Sequence, residues 1–342
     1  MSLELYTPDL SNRHEISHAI SLQTDEYYNE TGKLTLVVSV SDYNIAIVKE
    51  GAVLLRTDTG TAMIVRSVTI DSSQNRITAN GYTTDTLLNQ RVFAAPAAIQ
   101  TIETDLYAGI AANLRELPHV ALAGVKGLTE TAASVLYGGE LLDEATPLLD
   151  AAELGHRMTW DADTLTHVFE IYKGADLTDG IHAVVFSDEM GTASNLKIGD
   201  DASVFKNVCY VIGKFDDAEV VEIVGTATGG DRYEMWAEAG GVSQQSGETL
   251  AAYRARLAQC GAEELAKHVR RSSFSVLIDA SELGNAYSLG DVVKCASRKY
   301  GMMFTARIKG VKRRMDMNGE TTELVLGEPA LDVIGELKLW QK

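Results

Sequence analysis

Cysteine is nearly absent. Cys209, Cys260 and Cys295 form the whole set, an odd number at wide spacing, which supports neither a disulfide framework nor a CxxC site. Such sparing use fits synthesis in a reducing cytoplasm. Long apolar runs are missing too, and no stretch approaches the ~20 residues that a membrane-spanning helix needs. The opening residues, MSLELYTPDL, carry an acidic side chain and no apolar core, so no signal peptide is predicted. Positive charge is in deficit. Lys and Arg number 30 against 48 Asp and Glu, a formal net charge of −18. Phosphate contacts need basic surface, so this balance disfavours general binding to nucleic acid or anionic membrane. Neither a GxSxG nor a P-loop signature occurs, which removes two common hydrolase and nucleotide-binding signals.

What is present is strand-like alternation. A chain of 342 residues with 45% apolar content has room for two or three domains with a sizeable core. Over residues 1–95 the pattern is mostly β. A strand is predicted over 14–22, with Ile16, His18, Ile20 and Leu22 on one face, and a second over 34–40. A short helix is expected over 42–49, capped by Ser41 or Asp42. Residues 62–70 and 76–82 form a hairpin across the polar cluster 71–75, and 83–90 predicts one or two helical turns.

The composition then shifts. Residues 96–155 are rich in Ala and Leu. Ile99, Ile102, Leu106, Ile110 and Leu114 step by three or four and predict one helix, ended by Pro118. A second helix is expected over 140–154, starting or kinking at Pro147. Strands follow at 156–160 and 164–172, and again at 182–186, 203–213, 220–225 and 232–239. Gly240-Gly241 breaks the pattern. The longest helix is predicted over 248–271, with Ser246 as cap, Glu248 in the first turn and Lys267, Arg270 and Arg271 in the last.

Two features invite a chemical reading. His14-Glu15-Ile16-Ser17-His18 is a literal HExxH, which on a helix puts two His on one face to hold zinc, with Glu as general base. The strand alternation argues against it, because the two His would then sit about 13 Å apart. A metal-dependent hydrolase using 14–18 therefore stands as the alternative function. The carboxylate pairs Asp161/Asp163, Asp188/Glu189, Asp200/Asp201 and Asp216/Asp217 flank turns, and none supplies the ligand spacing of a calcium loop. No catalytic, cofactor-binding or metal residue is assigned.

The stretch 287–327 ties the chain together. Leu289-Gly290-Asp291 reads as a tight turn feeding a strand. Met302, Phe304, Ala306 and Ile308 alternate, the phase slips at Gly310 as a β-bulge would require, and Asn318-Gly319 predicts a two-residue hairpin turn. This hairpin is basic, through Lys294, Arg298, Lys299, Arg307, Lys309, Lys312, Arg313 and Arg314. A solvated face is the plain explanation; docking on an acidic neighbouring subunit is the functional one.

Here the chain resembles the hub proteins at the distal end of bacteriophage and prophage tail tubes. The LGD turn and long hairpin carry the likeness. So do Tyr28-Asn29-Glu30-Thr31-Gly32-Lys33-Leu34-Thr35-Leu36, the run 168–178, Val184-Val185-Phe186-Ser187, Lys206-Asn207-Val208-Cys209-Tyr210-Val211 and Arg232-Tyr233-Glu234. Ala175 stands where those proteins usually have Arg. The resemblance implies an α+β, β-dominated chain: a tube-like β-barrel or sandwich over 1–95, an α-rich insert over 96–175, a second tube-like domain over 176–335 that includes the long helix, and a tail at 336–342. It implies a structural, non-catalytic hub without cofactor. That hub forms a homotrimeric ring between tail-tube proteins and tip, spike or receptor-binding proteins, adapting a sixfold tube to a threefold tip. DNA passes through without specific binding, the chain inserts into no membrane, and the protein is made in the host cytoplasm and resides in the virion tail.

Overall fold

The computed structural model describes residues 3–187, 189–192, 194–238, 242, 244–245, 247–268, 271–278, 282–297, 302–327 and 330–331. The chain divides into two units, Met1–Leu196 with Ser275–Lys342, and Lys197–Phe274. The fold is β-dominated with few helices.

The first unit begins with β1 (Leu3–Tyr6), β2 (Arg13–Glu15), β3 (Ala19–Tyr27), β4 (Lys33–Ser39), β5 (Val53–Arg56), β6 (Thr61–Asp71) and β7 (Arg76–Thr83). Helix α1 (Asp42–Ile47) lies between β4 and β5, with the Ser41 side chain accepting from the Asn44 amide as its cap. Alternation decides the strands: Leu34, Leu36 and Val38 are buried, while Thr35 and Val37 are half-buried. The expected single strand over 14–22 is in fact two. β2 ends at Glu15 and pairs with β1; β3 starts at Ala19 and pairs with β4. β1 and β5 pair along their whole lengths, and the short runs Leu3–Tyr6 and Val53–Arg56 gave too little period to be predicted.

Next come β8 (Ala97–Thr101), α2 (Ile102–Asn113), β9 (Val120–Leu122), β10 (Thr131–Leu136), α3 (Leu141–Ala151), β11 (Gly155–Asp161), β12 (Thr166–Tyr172) and β13 (Val185–Phe186). Ile99 lies on β8 rather than on a helix face. The helix stops at Asn113, ahead of Pro118, because Arg115 and Glu116 take positive φ of 40° and 57°. α3 begins at Leu141 and continues past Pro147 instead of starting there. The missing N–H there leaves one helical hydrogen bond unmade. Leu106, Ile110, Leu141, Leu149 and Phe169 share one core in this segment.

β14 (Ser194–Asp201) follows. The second unit holds β15 (Val208–Phe215), β16 (Ala218–Val224), β17 (Glu234–Glu238) and α4 (Leu250–Ala266). The order is β16–β15–β17, and Tyr253 and Leu257 of α4 pack on Cys209 and Val211 of β15. Thr249 caps α4 by accepting from the Ala252 amide. Glu248 precedes the helix and pairs with Arg256 at 2.8 Å. Ser246, Arg270 and Gly240-Gly241 lie outside the described residues.

β18 (Arg271–Ile278) leads to β19 (Val292–Ser297), β20 (Met302–Asp316), β21 (Gly319–Leu326) and β22 (Ala330–Leu331). The β20–β21 register shifts between Ile308 and Gly310, as the phase slip predicted. Glycine is required there by close approach: a Cβ at Gly310 would lie 2.8 Å from the Tyr27 ring. The hairpin turn sits one residue earlier than expected. Asp316 pairs with Gly319, so Met317 and Asn318 form the loop, and Gly319 closes it at φ 122°.

The long hairpin joins the opening strands directly. β20 pairs with β3 from Gly310↔Tyr27 to Met315↔Leu22, and the order runs β21–β20–β3–β4–β7–β6–β5. Yet Arg56 of β5 reaches Glu320 of β21 at 2.7 Å. These two strands can touch only if the sheet curls round on itself.

Candidate functional site

Three segments singled out in the sequence meet at Tyr28. Its side chain is fully buried, and its hydroxyl lies 3.0 Å from the Glu153 carbonyl and 3.3 Å from that of Tyr172 while accepting from the Gly174 amide at 3.2 Å. The surrounding glycines leave the ring its space. A Cβ would come within 2.2 Å of it at Gly155 and 2.4 Å at Gly290, and one at Gly174 would strike the Gly290 carbonyl at 1.9 Å. Gly290 also holds φ at 98°, which costs other residues more than glycine. Asp291 locks the turn. Its carboxylate accepts from the Ser288 and Ala175 amides, both at 2.7 Å. The segment at 175 is thus held through its backbone, so alanine suffices there. Burial raises the Tyr28 and Tyr172 phenols above their ordinary range, so both stay protonated; Tyr28 packs and hydrogen-bonds, and the Tyr172 ring packs edge-on against it.

The basic hairpin is largely neutralised within its own chain. Arg313 pairs with Glu26 of β3. Arg307 pairs with Glu153 at 2.8 Å, donates to the Gly290 carbonyl at 2.8 Å and sits over the Tyr28 ring. Lys309 pairs with Asp150 at 3.2 Å and Lys294 with Asp179 at 2.7 Å. Lys312 is half-buried and Arg314 exposed. Arg298 and Lys299 lie outside the described residues. Sequence could not show these partners, because the acids sit as far away as Glu26. Buried Arg56, bound to Asp58 and Glu320 at 2.7 Å each, was not singled out either.

The HExxH stretch is extended. His14 lies on β2 with its ring against Tyr43, Ile16 is buried and His18 is exposed. The helical face that would unite the two His is not formed. Among the described residues no group of three or more His, Cys, Asp or Glu is placed to hold a metal ion. Two of the carboxylate pairs shape turns: Asp161 accepts from the Asp163 and Thr164 amides, and Asp216 and Asp217 take positive φ between β15 and β16, whereas Asp200 and Asp201 are the last residues of strand β14. Glu189 accepts from Ser187 at 2.9 Å. Asp188 lies outside the described residues. The Cys295 thiol is pushed up to about 12 by burial, far from a reactive thiolate.

The family model for Siphovirus ReqiPepy6 Gp37-like protein matches residues 2–114 and 115–328. The chain belongs to this family. The fold of this Gp37-like chain is that of phage tail proteins. A tail protein from Neisseria meningitidis MC58 superposes with a TM-score of 0.58 at 14% identity, covering 96% of each chain. Prophage tail protein gp18 from Listeria monocytogenes EGD-e gives 0.54 at 14%, covering 100% of both. The 43 kDa tail protein of prophage MuSo2 from Shewanella oneidensis gives 0.58 at 12%, covering 97% of this chain and 100% of that one. No curated protein matches the sequence.

Proposed function

We propose that this Gp37-like protein is a structural, non-catalytic component of a phage tail: a hub whose three copies form a ring at the distal end of the tail tube. The ring adapts a sixfold tube to a threefold tip and encloses the DNA channel. Tail-tube proteins lie on one side and tip or receptor-binding proteins on the other. The protein is made and assembled in the host cytoplasm. The observation that carries this reading is the likeness to phage and prophage tail proteins over 96–100% of both chains. The curled sheet, bridged by Arg56, and the long-range pairing of β3 with β20 within the chain suit a rigid ring wall.

The charge supports a passage rather than a binding site for DNA. Each copy carries −18. A lining of Lys and Arg would release counterions from the duplex and hold it, whereas an acidic wall keeps it away over a Debye length of about 8 Å. Light scattering over a concentration series tests the assembly. The mass should rise to three times 37.0 kDa. A species that stays monomeric at the highest concentration and when mixed with its tail-tube protein would overturn the trimeric hub.

A further inference from the structure

The dipeptide Asn-Gly occurs twice in the sequence, at Asn80-Gly81 and Asn318-Gly319, and the two stand in opposite surroundings. Asparagine before glycine carries a latent reaction. The glycine nitrogen attacks the asparagine side-chain carbonyl, and glycine has no side chain to shield that nitrogen. The attack needs an unheld side-chain amide and a backbone able to turn. Asn80 has neither. It lies within β7, opposite Thr35 of β4 on one side and Ser67 of β6 on the other. Its side-chain oxygen accepts from the Thr35 hydroxyl at 3.1 Å. Gly81 is buried, and a Cβ there would lie 2.0 Å from the Ile64 carbonyl oxygen.

Asn318 has both. It is exposed, in the two-residue loop between β20 and β21. Its backbone amide donates to Asp316 at 2.7 Å, while its side-chain amide has no partner among the described residues. Neighbouring Met317 is 92% exposed, and a Cβ at Gly319 would meet nothing within 4 Å. The Asp316↔Gly319 pair closes the ladder, and the last pair of a hairpin frays at little cost. We infer that Asn318 is a site of spontaneous deamidation, one that Asn80 does not share. The Gly319 nitrogen loses its proton and bonds to the Asn318 side-chain carbonyl carbon. The side-chain nitrogen leaves as ammonia, and a cyclic succinimide results. Water then opens the ring at either carbonyl, giving aspartate or isoaspartate, with no other co-reactant. The isoaspartyl product routes the main chain through the side chain and lengthens the loop by a carbon. That displaces Glu320, next in the ladder, whose carboxylate holds buried Arg56 at 2.7 Å. Ageing of an exposed loop thus reaches the contact that bridges the curled sheet. The inference is independent of the hub, since it needs only the folded chain.

The test incubates the full chain in warm, mildly alkaline buffer and digests it for mass spectrometry, with isoaspartyl and aspartyl peptides separated by retention. Asn318 should convert at least about tenfold faster than Asn80, a ratio that one extra strand hydrogen bond to break already supplies. Equal conversion at the two sites, or conversion of Asn318 only in denaturant, would overturn the site. Asn318→Gln should stay unmodified and keep its melting temperature through the same incubation. The isoaspartyl chain should melt roughly 3 °C below the fresh one. Ageing of Glu320→Gln should lower its melting temperature less, because its contact to Arg56 is already weakened. Asn318→Asp adds the charge without the extra carbon and should melt with the fresh chain. An isoaspartyl chain that melts unchanged, an equal fall in Glu320→Gln, or an equal fall in fresh Asn318→Asp would overturn the link to Arg56.

Discussion

Gly290 concentrates two demands on one residue: a left-handed backbone and contact with the Tyr28 ring. Gly284 has a similar φ of 87° but open space around it. Gly284→Ala should therefore cost about 1 kcal/mol from backbone conformation alone. Gly290→Ala adds a clash and should cost about 3 kcal/mol or more. Urea denaturation of the two variants separates the terms, and equal losses would show that the ring has room to move. Tyr28→Phe should cost about 1 kcal/mol by leaving the half-buried Gly174 amide without its acceptor. A second residue gives a pH signature. His167 is buried, its Nδ1 finds no hydrogen-bond partner within the described residues, and burial, aided by nearby His119, depresses it to about 4. The unfolded chain takes up this proton near 6.5 and the folded chain only near 4, so the contribution is complete above pH 6.5 and is lost as pH falls towards 4. About 3 kcal/mol is at stake. The melting temperature should drop across that window, and His167→Phe should flatten the drop; an unchanged slope would show that other groups control the acid limb.

At the scale of elements, the β20–β21 hairpin ties Arg307, Lys309 and Arg313 into ion pairs within the chain while Arg314 stays exposed. Arg313 is 12% exposed at its side chain and faces Glu26 at 22%. Arg313→Glu should destabilise the folded chain by about 3 kcal/mol, because it sets two carboxylates together in a half-buried site. Arg313→Glu with Glu26→Arg should recover part of the loss, and a cycle showing no coupling would sink the cis pairing. The hairpin itself was legible in the sequence because its period is two and its slip falls at Gly310. The same holds for the β6–β7 hairpin and for α1, where Ser41 supplies the cap. Legibility failed where local and distant forces disagree. Ile99 fits a helical stripe, yet Ala97–Thr101 pairs with β10. The two halves of 14–22 share one alternation but join different partners. No local pattern announces that Arg56 or Glu26 matters, since each acquires its role from residues brought close only by the fold.

On the scale of the whole molecule, the ordered motifs from Tyr28 to Gly327 were informative because several meet in one place. Tyr28, Gly174 and Leu289-Gly290-Asp291 are far apart in sequence and packed together in the first unit. By contrast, the compact unit Lys197–Phe274 is not marked by composition; its limits follow from the packing of α4 on β15 and β16. The proposed trimeric hub makes a further demand on the surface: carboxylates should outnumber bases along its bore, while the hairpin paired within the chain should face protein or outer solvent. Electron cryomicroscopy of assembled tails containing this chain tests that demand and the hub role together. The hub assignment predicts a threefold ring at the distal end of the tube, with a central opening lined mainly by Asp and Glu. A chain absent from that position, a subunit packed with no central opening, or a bore lined chiefly by Lys and Arg would contradict it.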